Sequence, residues 1–68
     1  MDKWISKIPT HCDICDQKIS EIFIDGKTKL RPWGIMCPMC YLHIGVGLGP
    51  GKGQKYMKRG KEFVKVAG

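Results

Sequence analysis

Two short motifs, Cys12-Asp13-Ile14-Cys15 and Cys37-Pro38-Met39-Cys40, constrain this 68-residue chain more than anything else in it. A Cys-x-x-Cys loop aims two sulfurs at one point, and a second loop supplies the other half of a tetrahedron. Zinc, with no geometric preference of its own from d-electrons, takes that all-sulfur site. Cys12, Cys15, Cys37 and Cys40 are therefore expected to be metal ligands, with zinc as the cofactor. The stretch between the pairs, Asp16 to Met36, is slightly longer than the common four-cysteine spacing and long enough for a β-hairpin. A chain this short buries too little apolar surface to offset its conformational entropy easily. Its nine glycines raise that cost. A structural zinc site contributes on the order of ten kcal/mol of folding free energy, which makes the metal a condition of folding.

Two other uses of the cysteines compete with this one. A pair of disulfides belongs to small secreted proteins. The first residues, Met1-Asp2-Lys3-Trp4-Ile5-Ser6-Lys7, carry no continuous apolar stretch of the kind a secretory leader needs. Nothing approaches the run of about 20 apolar residues that spans a bilayer. A cytoplasmic location with no membrane partner is expected. Iron in a rubredoxin-like site is the other rival, but rubredoxins are acidic and this chain has a formal net charge of +6. One zinc with four thiolates subtracts two, which leaves about +4.

That charge is unevenly spread. Residues 1–40 hold six Lys/Arg against five Asp/Glu, whereas residues 41–68 hold six cations against Glu62 alone. The six are Lys52, Lys55, Lys58, Arg59, Lys61 and Lys65, and polyanions are their natural partners. Tyr56 and Phe63 interleave with them. Tyr56 with these cations therefore forms a candidate nucleic-acid surface, the ring stacking on a base while the cations follow phosphates. The competing reading packs both rings inward as the core of a C-terminal hairpin.

Along the chain, residues 1–8 read as a lead-in with Trp4, Ile5 and Ile8 as core candidates, and Pro9 favours an extended approach to the first knuckle. Ile19 to Ile24 and Lys27 to Leu30 flank Asp25-Gly26, a two-residue hairpin signal that would place Ile24 opposite Lys27. Arg31-Pro32 ends that hairpin, and Trp33-Gly34-Ile35-Met36 runs extended into the second knuckle. Tyr41-Leu42-His43-Ile44 allows one helical turn before Gly45. Residues 45–54 place five glycines on consecutive odd positions, Gly45 to Gly53. If extended, the segment forms an ordered strand with one bare face that packs near the metal. Residues 55–68 form the basic C-terminal hairpin, with Arg59-Gly60-Lys61 as a three-residue turn and Gly60 left-handed in it.

Other chemistry is excluded or weak. His43, three residues after Cys40, is a fallback ligand, and His11 and His43 are expected beside the metal site or in solvent. The glycine segment fails the P-loop pattern, which needs glycine where Val46 stands and Ser or Thr where Gly53 stands. No carboxylate pair, free nucleophile or open metal position is apparent, so the chain is not expected to be an enzyme or to take a small-molecule substrate.

With two knuckles joined through a hairpin, the chain resembles the zinc-ribbon group. The fold class this implies is small, metal-stabilised and mainly β, in one domain spanning residues 1–68. Phe23-Ile24-Asp25-Gly26, Trp33, Met36-Cys37-Pro38-Met39-Cys40, Gly45-Val46-Gly47-Leu48-Gly49 and Gly51-Lys52-Gly53-Gln54-Lys55-Tyr56 also look like small four-cysteine proteins of tailed bacteriophages. That likeness covers about half of the chain and implies a bacterial host cytoplasm but no particular activity. The expected function is non-catalytic zinc-dependent binding of nucleic acid. The alternative is a protein-binding adaptor or structural module that docks on a larger complex through an exposed hairpin edge.

Overall fold

A computed structural model describes residues 2–30 and 33–68. Among them, the strands β1 (Ile22–Gly26), β2 (Gly34–Met36), β3 (Gly53–Arg59) and β4 (Glu62–Ala67) form one antiparallel sheet in the order β2-β1-β3-β4. One short helix, α1 (Pro38–Ile44), lies between β2 and β3 in the chain. The expectations of a small, mainly β protein and of a C-terminal hairpin hold.

The C-terminal hairpin forms as its composition dictates. β3 and β4 pair with Arg59 opposite Glu62, so Gly60-Lys61 is a two-residue turn, one residue tighter than expected. Gly60 has φ +64°, and the only non-glycine with positive φ among the described residues is Asp16. Positive φ at the first central position alone is the pattern of a type II′ turn. Further along, Lys55 pairs with Ala67 and Tyr56 with Lys65, which leaves Val66 as a bulged residue.

The central hairpin differs from its sequence signal. Asp25 and Gly26 are not a turn but the last two residues of β1, and the connection to β2 runs through 27–33. Ile24 faces Met36 and Lys55, not Lys27. The expected stop at Arg31-Pro32 lies outside the described residues. A tight turn would need positive φ at Asp25 and Gly26, and neither has it. Gly26 is glycine for another reason: it pairs with Gly34 on one side and Gly53 on the other. A Cβ there would sit 2.8 Å from the Lys52 carbonyl oxygen and 2.9 Å from Gly53 Cα. Pairing across three strands outweighs the local turn preference.

Residues 45–52 correct a second expectation. They form a loop, not a bare-faced strand, because Gly47, Gly49 and Gly51 have φ of +119°, +122° and +74°. Gly49 and Gly53 close it with reciprocal hydrogen bonds of 2.8 and 3.1 Å. Alternating glycine permits this left-handed path as readily as an extended one.

The core sits on one face of the sheet. Ile19, Phe23, Tyr56 and Phe63 cluster there, with Trp4 and Ile35 packed against them. Phe23 stacks on Tyr56 at 5.2 Å and 15°, tilts against Phe63 at 5.0 Å, and meets Trp4 edge-on at 5.2 Å. Ile24 and Met36 point to the opposite side and are also buried, in contact with neither solvent nor the aromatic cluster. Of the expected lead-in contributors only Trp4 joins the core; Ile5 is 87% exposed and Ile8 is exposed. Trp4 is positioned by its own backbone, whose N–H donates to the Phe63 carbonyl at 2.8 Å while Lys65 N–H donates to Asp2 at 2.7 Å.

Those last bonds occupy the outer edge of β4. On the other side of the sheet, Asp13 N–H donates to the Ile35 carbonyl at 2.8 Å and occupies β2. An adaptor docking by strand addition would find both edges already engaged at these positions.

Candidate metal centre

Each knuckle is built locally. In the first, Asp16 N–H donates to the Cys12 carbonyl at 3.0 Å and Cys12 N–H donates to the Gln17 carbonyl at 2.9 Å. The chain reverses through Asp16 at φ +63°, a left-handed conformation that Asp tolerates better than most residues. In the second knuckle, Cys37 is the N-cap of α1, extended at φ −73° and ψ 163°, and its sulfur accepts from Cys40 N–H at 3.5 Å. Pro38 occupies the start of the helix, where its missing N–H costs nothing. The helix thus begins inside the Cys-x-x-Cys motif, earlier than the turn expected at Tyr41. It stops at Gly45 as expected, with Gly45 N–H donating to the Tyr41 carbonyl at 2.8 Å.

Asp13 joins the two knuckles. Its N–H reaches the Ile35 carbonyl, and its carboxylate accepts from Ile35 N–H at 2.9 Å. Sequence reasoning missed this residue. The available signal was an Asp inside a tight loop, a side chain known for capturing backbone N–H groups.

The result is a single group of four thiols. One sulfur from each of Cys12, Cys15, Cys37 and Cys40 lies within 4.8 Å of every other, and Cys15 Sγ is 3.8 Å from Cys37 Sγ. A tetrahedral ion with metal–sulfur bonds of about 2.3 Å separates its sulfurs by about 3.8 Å. All four are free cysteines, so the disulfide alternative is not adopted. These side chains can hold a metal ion, and the donor set is that of a closed structural site. Neither histidine belongs to the group. His11 is exposed beside the Thr10 hydroxyl at 3.0 Å, and His43 is exposed in the last turn of α1.

The electrostatics are graded across the site. Burial opposes ionisation of Cys12, but N–H groups of Cys15, Cys37 and Ile14 overcome it and bring the thiol down to about 7. For Cys40, burial and the neighbouring thiols of Cys15, Cys37 and Cys12 push the other way, well above the ordinary range. At Cys15 the Gln17 N–H favours the thiolate, yet desolvation and the thiols of Cys12 and Cys37 prevail and raise it. The metal-free cluster therefore holds protons at neutral pH that an incoming cation must displace. Metal uptake is expected to release protons, and its affinity to rise with pH and fall steeply below about 7, where Cys12 is protonated too. Competition titrations against a chromophoric chelator between about pH 6 and about pH 8 check the sign.

The candidate nucleic-acid residues divide. Lys52, Lys58, Arg59 and Lys61 are exposed; Lys55 is half-buried on β3, and Lys65 is half-buried with its ammonium 4.0 Å from the Asp2 carboxylate. Tyr56 is only 7% exposed, stacked on Phe23, with its hydroxyl donating to Gln54 Oε1 at 3.1 Å. Its ring is committed to the core and is not presented to a base. Among the described residues, no helix is long and apolar enough to cross a membrane.

No protein-family model, curated protein or solved structure matches the chain. The likeness to bacteriophage proteins rests on the quoted residues alone.

Proposed function

We propose that the chain is a non-catalytic module folded around one zinc ion, and that it binds nucleic acid through the exposed cations of its C-terminal half. The observation that carries the metal assignment is the convergence of four sulfurs within 4.8 Å. Zinc suits it because a closed all-sulfur tetrahedron has no position left for substrate or water and no need of redox chemistry. Lys58, Arg59 and Lys61 gather at the β3–β4 turn, where Glu62 is drawn away into a 2.7 Å ion pair with Lys3. That leaves the turn cationic and solvent-facing, which supports contact with phosphates.

A salt titration of labelled oligonucleotides with the zinc-loaded protein tests the binding. Three phosphate contacts on duplex correspond to about a 40-fold loss of affinity between about 50 and about 200 mM salt. No binding at low salt, or binding indifferent to salt, refutes the proposal. The adaptor reading survives on a different surface from the sheet edge: Met39 and Leu42, 61% and 74% exposed, stand on the outer side of α1. Capture of one protein that persists after nuclease treatment favours that reading.

A further inference from the structure

The register of the sheet brings together three glycines at one end. Gly34, Gly26 and Gly53 are direct partners across β2, β1 and β3, forming a row with no side chains. The next residues outward on the three strands are Trp33, Lys27 and Lys52. Lys27 N–H donates to the Lys52 carbonyl at 2.8 Å, so the pairing continues past the row. Lys29 is fixed to the same end by its N–H bond to the Ile44 carbonyl at 2.8 Å. All three lysines are exposed.

Trp33 is the unusual member. It remains 48% exposed although its indole N–H donates to Asp25 Oδ1 at 2.6 Å. That bond fixes the ring at the surface instead of letting it collapse into the core, which leaves apolar ring surface in water at the same end of the sheet as Lys27, Lys29 and Lys52. Two carboxylates lie near the row, and both already accept hydrogen bonds: Asp25 from Trp33, and Asp13 from Ile35 N–H. Two strand spacings, about 10 Å, separate the Trp33 and Lys52 positions. A flat apolar ring exposed at the same end of the sheet as three exposed cations suits a base stacked on the ring with its phosphates on the lysines.

We infer that the Trp33, Lys27, Lys29 and Lys52 end of the sheet is a binding surface for single-stranded nucleic acid, with Trp33 as the stacking platform. This rests on the proposed nucleic-acid binding but moves its centre. Of the residues singled out by charge, only Lys52 belongs to it, and the β3–β4 turn lies at the other end of β3.

The test uses the zinc-loaded full chain, a labelled oligothymidylate and a duplex of equal length, read by anisotropy at low salt. Lys27→Gln, Lys29→Gln and Lys52→Gln are combined in one variant. Lys58→Gln, Arg59→Gln and Lys61→Gln are combined in another that removes the same charge. The first is expected to weaken single-strand binding by about tenfold or more, and the second by clearly less. Trp33→Ala is expected to weaken single-strand binding by about tenfold while leaving duplex binding unchanged. Trp33→Phe, which keeps a ring but loses the bond to Asp25 that holds it at the surface, should bind single strand more weakly than the parent and more tightly than Trp33→Ala. Equal losses in the two triple variants, or an indifferent Trp33→Ala, overturn this surface while leaving the general proposal standing. If the parent protein binds neither oligonucleotide, or binds only anionic phosphatidylglycerol vesicles, both fall.

Discussion

Replacing Cys12 by serine is expected to leave the chain without a stable fold at any practical zinc concentration. The side chain is 2% exposed, and its sulfur accepts from Cys37 N–H at 3.3 Å and from Ile14 N–H at 3.4 Å. A hydroxyl is a shorter, harder donor that cannot hold those bonds and a metal together. A structural zinc site is worth about 10–16 kcal/mol, while a chain of this size has a total stability of roughly 3–10 kcal/mol. Losing even half of the metal's share exceeds that margin. Cys15→Ser is expected to be milder, because Cys15 is the exposed corner of the cluster and water can complete the coordination there. Far-ultraviolet circular dichroism against zinc concentration distinguishes them: Cys12→Ser stays unfolded, and Cys15→Ser folds only at much higher metal. Equal behaviour of the two would contradict the graded burial of the site.

The second large effect lies away from the metal. Phe23 is completely buried and touches the rings of Trp4, Tyr56 and Phe63, so it is the centre of the aromatic cluster. Phe23→Ala should cost about 3–5 kcal/mol through lost transfer energy and the cavity it leaves. For a domain of this size that is a fall of about 20–35 °C in Tm. Val66→Ala, at the half-exposed bulge, should change stability by less than about 0.5 kcal/mol. Thermal melts with zinc held in excess measure both. Metal stoichiometry should stay the same in Phe23→Ala, since the knuckles are built from their own backbone bonds.

What could be read from the residues was what depends on few neighbours. A Cys-x-x-Cys pair is a local device, and its chemistry admits few other uses, so Cys12, Cys15, Cys37 and Cys40 were identifiable without a fold. Gly60 between two strand-like runs and Gly45 after a short apolar turn acted locally as well. Asp25-Gly26 misled because its local preference for a turn competes with a pairing to Gly53, a partner that the sequence places far downstream. The glycines at 47, 49 and 51 were ambiguous, since residues without a Cβ support an extended and a left-handed path alike. Tyr56 illustrates the same limit. Its cationic neighbours suggested a base platform, whereas the shortage of large apolar residues drew the ring inward. Trp33 went the other way, because a single bond to Asp25 keeps it at the surface.

Four thiolates sharing one cation are the premise of the whole account, and an amide ¹H–¹⁵N correlation spectrum recorded before and after exhaustive chelation tests it most directly. Under reducing conditions the dispersed peaks should collapse into the narrow range of an unfolded chain, and one equivalent of zinc should restore them. A spectrum that keeps its dispersion with the metal removed would contradict it.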